Sequence, residues 1–233
     1  MIDCSMARRN ILFVTTDQQR FDSLGCNGGT IARTPVADRL AAEGINFSRA
    51  YNQSTVCMPA RCTMLTGQYP RTHGVVANGV ALPTDAPSVA AYLSEQAGYR
   101  TALVGKAHFE PAFDFKGRWE ENARWRRGDT GPWRGFDYSI QAAHVAAFQG
   151  RAIQHYGLWL KDAHPEHLES FCSLLGAEPG GDTGAPETKH NPIPREWYHT
   201  DWVADRTIAW LDGLAADDDW FCWMSFPDPH HPW

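Results

Sequence analysis

Residues 10–16 (NILFVTT) form an unbroken apolar run closed by Asp17, the pattern of a strand covered on both faces of a parallel sheet. Thr34-Pro35 opens a helix: Thr34 is placed to cap it, Pro35 suits the first turn, and Val36, Leu40 and Ala41 share one face as far as Gly44. Residues 45–51 return to a strand pattern. Residues 58–65 read as a helix, with Pro59 in the first turn and Gly67 just past the end. A further amphipathic helix covers 88–96, closed by Gly98, and 101–104 is the strand that follows. Helical spacing recurs over 202–214, and 220–226 (WFCWMSF) reads as a central strand. This alternation predicts an α/β sandwich built on a largely parallel sheet.

Between 110 and 195 the periodicity fades, and 176–194 reads as a long surface loop or insertion. The chain has 233 residues, 43% of them hydrophobic, which fits one large domain or two small ones with a real core. Lys and Arg number 21 against 27 Asp and Glu, a formal charge of −6, so no basic stripe is offered to nucleic acid. The one dense basic cluster, RWRR at 124–127, reads as a solvated loop face. The apolar runs are strand-length, which excludes a membrane span, and the opening MIDCSMARRN leaves no room for a secretory signal. The 6 cysteines show no C-x-x-C pair and read as reduced thiols of a cytoplasmic protein. Cys57 and Cys62 lack the partner pair that a zinc site needs.

The chemistry concentrates in STVCMPARCTMLTGQYPRTHGV, residues 54–75. Cys57 and Arg61 are four apart, on one face of a first helical turn, where free N–H groups and the helix dipole favour negative charge. A phosphotyrosine-phosphatase pattern fails, because Thr63 stands where the arginine would be. Asp17, at a strand end, reads on its own as an Asx-type turn or helix cap. Lys106 and His108, two apart at another strand end, point to one side together, although that pair alone also reads as a surface lysine beside a packed histidine.

Cys57-Met58-Pro59-Ala60-Arg61, continued by LTGQYPRTHG (65–74), resembles the signature of the type I, formylglycine-dependent sulfatases of the alkaline phosphatase superfamily. The likeness extends through NILFVTTDQQRFDSLGCNG, TPVADRLAAEGINFSRAYNQS, GYRTALVGKAHF and the terminal PHHPW, and is poorest between 110 and 195. It implies an alkaline phosphatase-like α/β/α sandwich with a largely parallel, mixed central sheet, truncated at the C-terminus. Residues 1–233 would be the N-terminal part of a single catalytic domain with an irregular insertion at about 110–195, lacking the C-terminal part and a small C-terminal domain.

The resemblance further implies that an oxidase converts Cys57 to formylglycine, whose hydrated aldehyde is the metal-bound nucleophile toward a small-molecule sulfate ester. Asp17, Gln18 (where many relatives carry a second aspartate) and the Cys57 product would ligate a divalent cation, usually calcium. Arg61 supports the nucleophile, Lys106 holds negative charge, and His108 takes the proton during sulfate release. His230 lies near the leaving-group oxygen, His231 faces away, Asn78 contributes to the substrate pocket and His73 braces the loop. A phosphonate monoester or phosphodiester hydrolase shares C-x-P-x-R and the Asp-Gln pair, and an inactive truncated homologue is the other alternative. The family's remaining ligands have no place in this chain, so the expectation is a metal-poor, inactive fragment of a working enzyme.

Overall fold

The structure, a computed structural model, describes residues 9–112, 114–172 and 193–231. Its frame is a four-stranded sheet of β1 (Ile11–Thr15), β2 (Arg100–Gly105), β3 (Tyr138–Gln141) and β6 (Trp220–Ser225), in the order β1-β6-β2-β3. All three pairings are parallel, with Leu103 opposite Trp223 and Phe13 opposite the same residue on the other side. A small antiparallel pair, β4 (Ala147–Phe148) and β5 (Arg151–Ala152), lies apart from it.

Neighbouring strand residues face opposite sides of a sheet, and both sides of the inner strands are covered. On the edge strand β1, Ile11, Leu12 and Val14 are exposed, so residues 10–16 are not the doubly covered strand expected. Leu103, Phe221 and Trp223 enter one core with Met58, Cys62 and Leu65 of α2 (Cys57–Thr66) and Ala90 of α4 (Val89–Ala97). Val104 and Ile140 enter the other with Tyr156 and Leu160 of α6 (Gln154–Ala163) and Trp202 and Val203 of α8 (His199–Asp212). Leu103 and Val104 are each fully buried, worth about 1.5–3 kcal/mol apiece. The result is the expected α/β/α sandwich, its sheet wholly parallel among the described residues. Those residues include no helix long and apolar enough to cross a membrane.

Several expectations need correction. Residues 45–51 form no strand; Ile45, Phe47 and Tyr51 are exposed, and among the described residues no strand lies on the free edge of β1 for them to join. A strand pattern without a ladder partner is not stable alone. On α1 (Pro35–Glu43), Val36 and Leu40 are exposed, so the face they share covers nothing here. Thr34 makes no side-chain cap; its hydroxyl accepts from Gly25 N and donates to Asp38.

The stretch 110–172 is ordered rather than irregular, holding β3, α5 (Glu120–Arg126), α6 and α7 (Pro165–Cys172), while 173–192 lie outside the described residues. Its short elements are fixed by distant contacts, which leave no local period. Arg124 of the RWRR cluster is buried rather than solvated, paired with Asp129 at 3.2 Å and stacked over Trp133 at 5.2 Å.

One glycine sets how closely the central strands approach. Gly105 ends β2 at φ +107, and a Cβ built there would lie 1.9 Å from Ser225 O. Backbone strain and overpacking each cost about 1–3 kcal/mol, so Gly105→Ala is expected to lower unfolding free energy by about 2–6 kcal/mol. Urea denaturation measures this, and a wild-type midpoint would contradict the close approach.

Candidate active site

Because β1, β6 and β2 are parallel neighbours, their C-terminal ends emerge side by side, where α/β sheets place their sites. Asp17 follows β1, Lys106 follows β2 and His230 follows β6. The start of α2 brings Cys57 to the same place. Residues distant in sequence therefore meet at one sheet edge.

The Cys57 thiol lies 3.8 Å from Asp17 Oδ1 and 4.0 Å from Lys106 Nζ. Lys106 also pairs directly with Asp17 Oδ2, which Arg61 Nη2 approaches to 3.3 Å. Arg61 Nη1 donates to Lys106 O at 2.6 Å and to Ser225 Oγ at 2.8 Å. Arg61 thus acts as a strut between the loop after β2, the end of β6 and Asp17. Only 3% of Lys106, 4% of Arg61 and 8% of Asp17 is exposed, so these charges interact in a poorly screened setting. Burial alone would raise the Asp17 carboxyl, but Lys106 and Arg61 outweigh it and hold the group at about 2. Burial, helped by Arg61, pulls Lys106 below its usual value, against the attraction of Asp17.

Lys106 and His108 both face the site, though not through strand alternation. The strand ends at Gly105, and His108 adopts a left-handed backbone with φ +56. Gln18, beside Asp17, is likewise left-handed at φ +57. Such strained residues persist only where their surroundings hold them.

A cavity of about 620 Å³ opens beside Cys57, lined by Asn78, His108, His144 and His230 among others. A second of about 270 Å³ lies on the other flank, against Asp17, Gln18, Asn52 and Arg61. The large cavity is rich in imidazole. Burial lowers His108 to about 3 and His144 to about 2, and lowers His230 as well, so the pure desolvation penalty favours neutral rings. His144 stacks on His230 with centroids 4.1 Å apart, and His230 on His231 at 4.6 Å. His231 is not turned away: its Nδ1 lies 2.8 Å from Gln18 Oε1, which also accepts from the His231 backbone N at 3.2 Å.

Asn78 borders the cavity, but its Oδ1 accepts from Met58 N at 3.0 Å. That bond caps α2, whose own N-cap residue, Val56, offers no side-chain acceptor. His73 accepts from Val75 N at 3.1 Å and pairs with Thr63 Oγ1 at 3.1 Å, the bracing role expected of it.

Asp17, Cys57 and His230 place one ligand atom each within 4.8 Å of one another. A hard cation such as calcium takes about six to eight oxygens. Here one carboxylate is already shared by two cations, and the Gln18 carbonyl already accepts from His231. The described residues therefore supply fewer oxygens than such a cation takes. Sequence reasoning missed His144 and Glu121; His144 is a lone histidine in AAHVAAF, with no period or partner to mark it.

A parallel sheet between two helical layers, with this site at its C-terminal edge, is the alkaline phosphatase-like class of α/β fold. Within that class the chain belongs to the sulfatase family, whose model matches residues 9–233. The chain is 32% identical to the uncharacterized sulfatase YidJ of Escherichia coli K12, over 97% of its own length and 39% of that protein. It is 26% identical to the arylsulfatase of Clostridium perfringens, over 96% of itself and 44% of that enzyme. The crystal structure of the phosphonate monoester hydrolase of Agrobacterium radiobacter superposes with a TM-score of 0.69 at 28% identity, covering 96% of this chain and 41% of that one. The chain thus spans about two fifths of these relatives, at 39%, 44% and 41%.

The loops at this edge rest on α8. His199 is fully buried, 3.6 Å from Asp228 Oδ1, and Asp228 O accepts from Asp17 N at 3.0 Å. Burial lowers His199 to about 4 despite Asp228. The unfolded chain then binds the proton first, so stability is full above the ordinary pKa of 6.5 and falls as pH drops from there toward 4. Between pH 6.5 and 4.5 this group removes about 2 kcal/mol. His199→Gln is expected to flatten the pH dependence of urea unfolding by that amount, and an unchanged slope would show that His199 is not held neutral.

Proposed function

We propose that this chain carries the nucleophile-bearing part of a sulfuric ester hydrolase that acts on a small-molecule sulfate ester through a formylglycine made from Cys57. The observation that supports this most is the approach of Cys57 Sγ to Asp17 at 3.8 Å and Lys106 at 4.0 Å, beside a cavity of about 620 Å³. Oxidised and hydrated, position 57 supplies one hydroxyl to attack sulfur and a second whose collapse expels sulfate, so water need not attack a sulfated protein.

The neighbouring residues suit that chemistry. Lys106 and Arg61 face the single carboxylate of Asp17, which leaves one net positive charge to receive an anionic ester group. Arg61 spends its own donors on Lys106 O, Ser225 and Asp17, and so keeps lysine and carboxylate in register. His108, neutral through burial, is able to take the proton released as sulfate leaves. His230 shares the cavity wall, within reach of a departing alcohol oxygen, and Asn78 borders the same space. Asp17, Gln18 and position 57 would be this chain's share of the ligands for a divalent cation, calcium by its preference for oxygen, which supplies positive charge at the nucleophile. A formylglycine-generating oxidase is the implied partner.

Phosphonate monoester hydrolysis is the second reading, favoured by the likeness to the Agrobacterium radiobacter enzyme at a TM-score of 0.69. The resemblance of Lys106 and His108 to the sulfatase pattern favours sulfate. A full-length version co-produced with an oxidase is expected to turn over an aryl sulfate faster than a phosphonate monoester. Lys106→Ala and His108→Ala should each lower kcat about a hundred- to a thousand-fold, with a far smaller loss of stability. Folded variants with wild-type rates would make the pair structural, and a faster phosphonate reaction would favour the second reading.

A further inference from the structure

Three successive backbone N–H groups, those of His108, Phe109 and Glu110, converge on the Glu121 carboxylate at 2.8, 2.8 and 3.0 Å. Glu121 stands in the first turn of α5 and is 3% exposed. Its own N–H donates to Glu110 Oε2 at 2.6 Å, and Glu110 Oε1 receives Arg134 at 2.8 Å. Arg134 also donates to Pro83 O at 3.0 Å and Leu82 O at 2.9 Å. The loop after β2 is therefore clamped from one side by α5 and from the other by Arg134.

A buried carboxylate is a costly way to shape a loop. Burial, with Glu110 beside it, pushes Glu121 up to about 7, and the three N–H bonds oppose that rise. What the clamp secures is the left-handed backbone of His108 at φ +56, a state that costs a non-glycine residue about 1–3 kcal/mol. Fixing the amides of 108, 109 and 110 fixes the dihedrals between them, and with them the direction of the His108 ring. That ring lines the cavity beside Cys57, its Nδ1 buried without a partner among the described residues. Glu121 does not line that cavity.

We propose that Glu121 is a positioning residue for His108, holding the loop in the one backbone form that turns the imidazole toward position 57. This rests on the reading of His108 as the group that takes the proton. Glu121→Gln keeps the size of the side chain but replaces an acceptor oxygen by an N–H₂ that faces backbone donors. With oxidised full-length protein at pH 8 and an aryl sulfate, Glu121→Gln is expected to lower kcat about 10- to 100-fold while KM moves less than about threefold. In a His108→Ala background the same substitution should change kcat less than about twofold, because its effect passes through the missing imidazole. Equal slowing in both backgrounds, or no slowing in either, overturns the proposal.

Two readouts need no turnover and separate this proposal from the hydrolase reading. In Glu121→Gln the amides of 108–110 should exchange with solvent faster while those of β2 and β6 keep their protection. The His108 ring resonance should move while that of His155 stays. Unchanged exchange and an unmoved ring signal overturn the positioning role whatever the rates. If those changes occur in a protein that hydrolyses no ester, the hydrolase reading fails and the clamp stands. Should Glu121→Gln not fold, Glu121→Asp withdraws the carboxylate by one methylene and carries the same expectations.

Discussion

One buried carboxylate shared by two cations organises this protein. Asp17 takes Lys106 and Arg61 at once, which joins the loop after β1, the loop after β2 and the first turns of α2. Removing charges from water costs several kcal/mol per ion, offset only when geometry and hydrogen bonding are complete. Arg61 completes them by donating to Lys106 O and Ser225 Oγ. Deleting Asp17 would leave two buried cations uncompensated, a loss of about 3–5 kcal/mol, whereas deleting Lys106 leaves the Asp17–Arg61 pair. The cluster beside Cys57 is therefore also part of what holds the sheet edge together.

Around it, the two faces of the sheet supply the rigidity. Trp223 packs against Phe13, Phe109 and Phe136, and its ring N–H donates to Thr15 Oγ1 at 2.9 Å, fastening β6 to β1 just below the site. The left-handed residues Gln18, Gly105 and His108 gather at the same edge, so backbone strain sits where the chain must leave the strands sharply. The opposite flank is different. The outer edge of β1 and the apolar side chains of α1 and of 45–51 meet solvent, in a chain that spans 39% and 44% of two of its relatives.

Legibility in the sequence follows from range. β2, α4, α8 and β6 are readable because their apolar period matches the faces they bury, whereas β1 is legible as a strand but not as a doubly covered one, since Ile11, Leu12 and Val14 are exposed. The Cys57-x-Pro-x-Arg61 unit is readable because its spacing lies within one helix. Residues 45–51 mislead because a strand needs a neighbour that its own pattern cannot supply. The stretch 110–172 looks featureless because distant pairs shape it: Glu121 with the amides of 108–110, Arg124 with Asp129 and Trp133, Arg134 with Glu110. His144 is missed for the same reason, since only folding stacks it on His230.

The central claim is that position 57 is a nucleophile made after synthesis rather than a structural thiol. Its most direct measurement is mass spectrometry of the peptide containing Cys57, from protein co-produced with a formylglycine-generating oxidase. The account predicts a residue that has lost its sulfur and reacts as an aldehyde with a hydrazide probe, while a Cys57→Ala protein gives no adduct. A fully unmodified thiol at position 57, in protein exposed to an oxidase that converts a control substrate, would contradict it.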